Sequence, residues 1–592
     1  MKTKLFWCSA FLCTASYLFA QNQPKKVYFP GDCAKNELSI DGKLDEPAWT
    51  KATWQDDFTQ YEPSEGKSPS QRTEFAVLLD ENHIYVGFKC WDNHPDSIVQ
   101  RLTQRDNVDG DLVAVQFDSY FDKRTAFSFF ANAAGIKQDF IISNDGENED
   151  NTWDPIWSVK TSRDGKGWYA EMKIPLTQLR FEGNSEQTWG LQVARMLFRK
   201  QEVSLWQASS KKTSGWVSQY GELKGLKNLK SRKVADIMPY AVARTDRYEK
   251  ESGNPFKQSG KKNQLDVGLD GKLGLTNNLT LDFTVNPDFG QVEADPSQVN
   301  LTSFETFFQE KRPFFIEGKN ILSFPLMFGD GDLASENLFY SRRIGRRPHN
   351  SPELADGEYV NAPEFTSILG AAKITGKTKT GWSLGLLGSL TSDEFAKISN
   401  GHQRREMIEP FTNYTIGRVQ KDFNKGNTLL GGIFTSVNRN LGEEQLDYLH
   451  KSAFTGGFDF THKWHNKDWQ LDFSTYFSRV EGSLSGQGGK IVFSKNGGKL
   501  KFMAATAWKS PGLELNDVGY MRQADNILEV VWVGYRIYEP FSIFRNMNLN
   551  FNQWTEWNFG GELTGPGGNI NAHTQLKNYW NFHLGGNWNG SG

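Results

Sequence analysis

The sequence predicts an all-β protein in two parts: an N-terminal β-sandwich, then an antiparallel transmembrane β-barrel truncated at its C-terminus. Three observations carry this reading. Aromatic residues make up 14% of the 592 residues, with 43 Phe, 19 Trp and 18 Tyr beside 56 Gly, while all hydrophobic types together reach only 38%. Up to about residue 230, short β-like runs alternate with turn signals. Beyond residue 235 the runs lengthen and alternate apolar with polar positions at period two. The ring-rich composition excludes disorder. A net charge of −3 excludes a nucleic-acid binder driven by bulk charge. After the first 20 residues there is no apolar run of 18 or more, which excludes an α-helical membrane protein.

Residues 1–20 read as a signal peptide. Lys2 and Lys4 form a basic n-region, Leu5 to Phe19 an apolar stretch, and Ala20 the cleavage position. The mature chain then keeps two cysteines, Cys33 and Cys90. An even pair in an exported protein permits one disulfide, and two buried thiols are the alternative.

Residues 24–230 supply the sandwich. Phe75–Leu79, Ile84–Phe88, Val113–Phe117, Ala126–Phe130, Trp168–Ile174 and Trp189–Val193 are its strand-like runs. Turn clusters such as Asp80-Glu81-Asn82 and Arg163-Asp164-Gly165-Lys166 separate them.

Residues 235–592 supply the barrel. Leu279, Leu281, Phe283 and Val285 alternate with Thr280, Asp282, Thr284 and Asn286, and the pattern recurs around Phe454–Trp464, Trp469–Phe477 and Leu576–Trp588. Alternating segments of about ten residues with tight polar turns are the mark of a transmembrane barrel. Twelve to fourteen such strands are expected. A closing strand ending in an aromatic is missing, hence the expectation of truncation. Residues 287–355 do not alternate and are expected to form a long external loop or an inward plug.

Two stretches carry a resemblance. Ile40-Asp41-Gly42-Lys43-Leu44-Asp45-Glu46-Pro47-Ala48-Trp49, with Trp153-Asp154-Pro155-Ile156-Trp157 and Gly167–Pro175, resembles the family-9 carbohydrate-binding modules over residues 38–225. Asn286-Pro287-Asp288-Phe289-Gly290-Gln291, Glu310–Gly318 and Phe339–Arg346 resemble a family of outer-membrane proteins of unknown function, common in Bacteroidota-type bacteria, that join such a module to a C-terminal barrel. The first resemblance implies a sugar-binding sandwich. The second implies the architecture and leaves the activity open.

Sugar sites stack the apolar face of a pyranose on flat rings and hydrogen-bond its hydroxyls with amides and carboxylates. Trp91 with Asp92 and Asn93, and Trp153 with Asp154 and Trp157, are the candidates, because both groups sit beside turns. Their alternative is core packing. Asp106, Asp109 and Asp111, and the run Asp145, Glu147, Glu149, Asp150 and Asp154, are oxygen-rich enough for calcium, or else are solvated loops. Haem would need axial ligands from His83, His94, Met172 or Met196, which are scattered singles. Arg342, Arg343, Arg346 and Arg347 could meet lipopolysaccharide phosphates or pair with Glu305, Glu310 and Glu317. There is no His-Glu-x-x-His and no Gly-x-Ser-x-Gly.

The leading expectation is a non-enzymatic outer-membrane protein that binds glycans and serves polysaccharide utilisation or uptake. Its alternatives are a transport or secretion channel with a periplasmic docking sandwich, and a protein acting on O-glycosyl bonds. The expected partners are a glycan, outer-membrane lipid or lipopolysaccharide, and periplasmic or outer-membrane proteins.

Overall fold

The computed structural model describes residues 24–590 apart from 36, 182–185, 228, 230–234, 277, 288–303, 330–333, 379, 443–445 and 481–485. The expected signal peptide, residues 1–20, lies outside these.

Two sheets stack between Val27 and Lys227. The five-stranded sheet runs in the spatial order Ser158–Asp164, Gly167–Pro175, His83–Trp91, Thr73–Leu79, Gly31–Asp32. The nine-stranded sheet is built on Gly221–Lys227, Glu186–Leu197, Leu112–Asp118, Ala126–Asn132 and Lys137–Ser143 in that order. Strand parity decides what is buried between them. Val113, Val115 and Phe117 enter the shared core, as do Phe127, Phe129 and Ala131. Trp168, Trp189 and Trp206 are buried there with Phe75 and Phe88. A ring burying about 150–250 Å² contributes roughly 4–6 kcal/mol of gross transfer energy.

The motif from Ile40 to Trp49 forms a strap across the outside of the five-stranded sheet. Leu38, Ala48 and Trp49 pack on Ala76, Leu78 and Tyr85. Glu171, on the same outer face, ties the strap down. Its carboxylate accepts Trp49 Nε1–H at 3.0 Å and the backbone N–H groups of Asp41 and Gly42 at 3.2 and 3.3 Å. Burial raises the Glu171 carboxyl to about 7, against the pull of those hydrogen bonds.

The expected Cys33–Cys90 disulfide is not formed, and both are free thiols. The backbone N–H of Cys33 donates to Leu79 O at 2.8 Å, whereas Cys90 pairs with Thr73. Thr73 and Leu79 are the two ends of one strand, about 20 Å apart at ~3.4 Å per residue. A disulfide needs Cα atoms within about 7 Å.

From Ala235 to Asn589 a fifteen-stranded antiparallel sheet runs almost wholly in sequence order. That exceeds the expected twelve to fourteen, because Gly and Leu occupy both faces of strands such as Trp382–Thr391 and blur the alternation. Within this sheet, its first and last strands, Ala235–Arg247 and Asn581–Asn589, each pair on one side only.

The two faces of this sheet differ. Leu386, Val419, Phe434, Phe458, Phe477, Ile491 and Phe551 point outward, 40–55% exposed. That is the surface a bilayer-spanning wall presents. No helix among the described residues is long and apolar enough to cross a membrane. On the inner face Leu387, Ile416, Ile433, Tyr476, Ala507 and Leu528, from six strands, join one cluster with Phe314, Phe315, Leu322 and Phe324. The sheet therefore wraps around the segment that contains the short helices Pro313–Ile316 and Lys319–Leu322.

The described part of 287–355 is thus folded inward. Wall lysines hold its backbone: Lys373 Nζ donates to the carbonyls of Phe314 and Glu317, and Lys490 Nζ to those of Pro325 and Met327 at 2.9 and 2.7 Å. Lys509 and Glu336 pair at 2.7 Å, both about 1% exposed. Of the arginine cluster, Arg343 pairs with Glu305 at 2.7 Å, while Glu310 pairs with Arg312 and Glu317 with Lys272 and Arg180.

Candidate functional site

The predicted sugar-site residues separate into buried and open ones. Trp157 is only 3% exposed and packs edge-on against Phe129 at 5.3 Å. Its Nε1–H donates to Asp139 at 2.9 Å. It is a core residue, because its side of the loop turns under the nine-stranded sheet, and it offers no stacking face. Trp153 packs on Phe127 and Phe129 at 5.2 and 5.5 Å. Its remaining surface lines a cavity of about 40 Å³ shared with Ile316, Glu317 and Ile321 of the plug, too small for a sugar ring. Asp154 forms an ion pair with Arg105.

Asp92 is buried, and Arg199 holds both its carboxylate oxygens at 2.7 and 2.8 Å. Burial would raise this carboxyl, but the Arg199 bonds and the His94 N–H lower it on balance. Asp92 is a clamp for the turn rather than a hydroxyl acceptor. Asn93 is exposed beside it, its N–H on Gln71 at 3.0 Å.

Trp91 keeps an open ring. It is half-buried, its Nε1–H donates to Glu74 at 2.9 Å, and Tyr169 meets it edge-on at 6.0 Å. Glu74, Lys89 and Tyr169 lie side by side across three strands. Lys89 Nζ sits 3.7 Å from the ring centroid of Trp54. The open strip is therefore Trp54, Lys89, Trp91 and Tyr169. Sequence reasoning found one of these four. Parity could have found Tyr169, since its neighbours Trp168 and Ala170 face the core.

The three carboxylates named for calcium, Asp106, Asp109 and Asp111, are not brought together. Asp106 accepts the N–H of Asp139 at 3.2 Å, Asp109 pairs with Arg101, and the buried Asp111 accepts the N–H of Val99 at 2.8 Å. Each turns to its own partner, and no group of three or more metal-ligating residues forms among the described residues.

The second acidic run does something else. Asp145 pairs with Lys467 and Glu147 with Lys463, each at 2.6 Å, and Asp150 meets Lys319 at 3.1 Å. These lysines belong to the wall and the plug. Further bonds join the two parts: Asp122 to Lys377 at 2.7 Å, Arg124 to Asp422 at 3.3 Å, and Gly498 N–H to Lys212 O at 2.7 Å. Arg545 and Tyr579 reach the carbonyl of Lys200.

All these wall residues lie at one end of the sheet, at or beside the turns 378–381, 424–427, 465–468, 496–499, 538–543 and 577–580. The connections at the other end, 392–411, 440–451, 510–525 and 558–566, are longer. The sandwich is seated on the short-turn end. Between its acidic loop, the plug and the wall lies a cavity of about 1310 Å³ that includes Glu147, Lys319, Arg418, Asp459, Asp472 and Lys490.

Comparison with known proteins places two family models on the chain. Residues 235–591 match the domain of unknown function DUF5916, and residues 40–224 match the carbohydrate family 9 binding domain-like model. No curated protein matches the chain. Among solved structures, a family 9 carbohydrate-binding module from Caldicellulosiruptor kristjanssonii in complex with cellotriose is 17% identical, covers 35% of this chain and 95% of its own, and gives a TM-score of 0.25. The outer membrane protein OpdK from Pseudomonas aeruginosa is 10% identical, covers 81% of this chain and 93% of its own, and gives a TM-score of 0.27.

Proposed function

The chain belongs to the DUF5916 family, and from that premise we propose that it is an outer-membrane protein that binds glycans through its sandwich, without catalysis of its own. The observation that carries this reading is the strip of Trp54, Lys89, Trp91 and Tyr169, which stays half-open with the sandwich docked. Rings give a pyranose its stacking face, and Lys89 and Asn93 beside them offer hydrogen-bonding groups. The family 9 match over 40–224 supports the same reading. Short turns face the periplasm in outer-membrane barrels, so the sandwich is read as periplasmic. Calorimetric titration of the detergent-solubilised chain with a glycan panel tests the proposal. Binding that falls at least tenfold in the Trp91→Ala, Tyr169→Ala double variant supports it. A folded chain that binds no glycan overturns it.

A second reading, a conduit closed at rest, rests on a different observation: the plug inside the wall and the sandwich across its short-turn end. Planar-bilayer conductance checks it. Removing 287–355 is expected to raise conductance, and unchanged conductance counts against a plugging role.

A further inference from the structure

The inner face of the last three strands differs from the rest of the wall. Elsewhere that face carries charge, as at Arg418 with Asp459 and at Lys463, Asp472 and Lys490. On 546–554, 567–575 and 581–589 it carries amides, and Glu556 is the inner charge just beyond them. The face is identified by Trp554, which packs on the plug-centred cluster, and by its opposite, where Leu549, Phe551, Ile570 and Leu584 are exposed.

Register aligns the inner positions into rungs. Asn552 lies beside Asn569 and Asn587, and Asn550 beside Asn571. Below them Asn548 meets His573 and His583, and Asn546 meets Gln575 and Asn581. No Asp, Glu, Lys or Arg occupies an inner position from Asn546 to Trp554, Gly567 to Gln575, or Asn581 to Asn589. Asn550 donates to Asn571 and Asn552 to Asn569, each at 2.7 Å, and Asn571 donates to Asn569 at 3.0 Å. An Asn side chain offers two donors and two acceptor lone pairs, so these three bonds use a minor part of the capacity. Trp554 adds a flat ring, whereas Trp532, in register with Asn552, carries the Arg536 guanidinium 5.4 Å from its ring centroid.

The track spans about 27 Å from Gln575 to Gly567 at ~3.4 Å per residue. Its lower end touches the sandwich, where Gln575 Nε2 donates to Gln201 at 3.0 Å. Gln201 lies two residues from Arg199, the clamp on Asp92 beside Trp91. From this geometry we infer that the amide face is a second glycan site, a track for a neutral oligosaccharide that continues from the sandwich along the inner wall. Hydroxyls both donate and accept, as amides do, and the amide rungs hold them directly, with the nearest inner charges, Arg536 and Glu556, at the flanks of the track. The inference rests on the glycan-binding reading and names the ligand as uncharged.

The test uses the full chain in detergent, titrated with maltohexaose, cellohexaose and, as a charged counterpart, a hexameric oligogalacturonate. At least one neutral hexasaccharide is expected to occupy two sites per chain. Trp91→Ala removes one site, and Asn569→Asp with Asn571→Asp weakens the other at least tenfold. Should the double Asp variant lose its strand content by circular dichroism, Asn550→Ala with Asn571→Ala removes a mutually bonded pair and decides instead. A single site abolished by Trp91→Ala and untouched by the amide variants overturns the track and leaves the sandwich reading standing. Oligogalacturonate bound at the amide site as tightly as the neutral sugars overturns the neutrality. No binding of any sugar overturns both.

Discussion

The sandwich and the wall are built from the same residue types turned in opposite directions. In the sandwich Trp168, Trp189 and Phe117 fill the interior, and charged groups such as Lys43 and Asp41 lie outside. In the wall, rings such as Phe434, Phe477 and Phe551 face outward, and Lys509, Lys373 and Arg418 face in. Period-two alternation is common to both. What differs is the solvent each face meets, so one pattern yields an apolar core in one half and a polar interior in the other.

This opposition can be broken most sharply at a ring. Trp168→Ala opens a core cavity and is expected to cost about 3–5 kcal/mol. Hydrogen exchange across Thr73–Trp91 and Gly167–Pro175 should rise accordingly. Phe434→Ala, on the outward face, is expected to leave that exchange unchanged.

Charge probes the wall next. Leu386→Arg places a cation amid the outward apolar band and is expected to cost about 2–4 kcal/mol near the bilayer midplane. Denaturant midpoints in liposomes measure it.

A smaller effect separates the two parts by pH. Folded Glu171 stays protonated up to about 7, whereas the unfolded carboxyl ionises above its usual ~4.3. The folded state then holds the extra proton between these values, so the strap loses stability as pH rises through that window. Protection of residues 38–54, measured relative to the intrinsic exchange rate at each pH, is expected to fall as pH rises from about 4 to 7, and Glu171→Gln should flatten this dependence. A variant as pH-sensitive as the parent would remove Glu171 from the account.

The smallest effect lies where the halves meet. Glu147 is half-exposed in its pair with Lys463. Lys463→Met is therefore expected to weaken docking by only about 0–1 kcal/mol, read as protease sensitivity of the 143–152 loop.

Much of the fold was legible because it is local. Turn residues such as His465–Asp468 and alternation such as Leu279–Val285 specify strands without reference to distant chain. The candidate site was less legible. Trp91 and Trp157 look alike in sequence, each beside a turn, yet one is open and the other enters the core. Asp145 and Glu147 read as an oxygen-rich loop, and their lysine partners lie more than three hundred residues away. The amide track was likewise invisible as a site, since Asn550 and Asn571 become neighbours only through strand register.

The sequence alone determined the two-part β architecture and which residues share a strand face, because parity and turn chemistry act over a few residues. Tertiary structure decided which face is covered, that Cys33 and Cys90 stay apart, that the described part of 287–355 turns inward, and where the sandwich sits. Those outcomes depend on contacts between distant segments, and alternation says which residues face together without saying what they face.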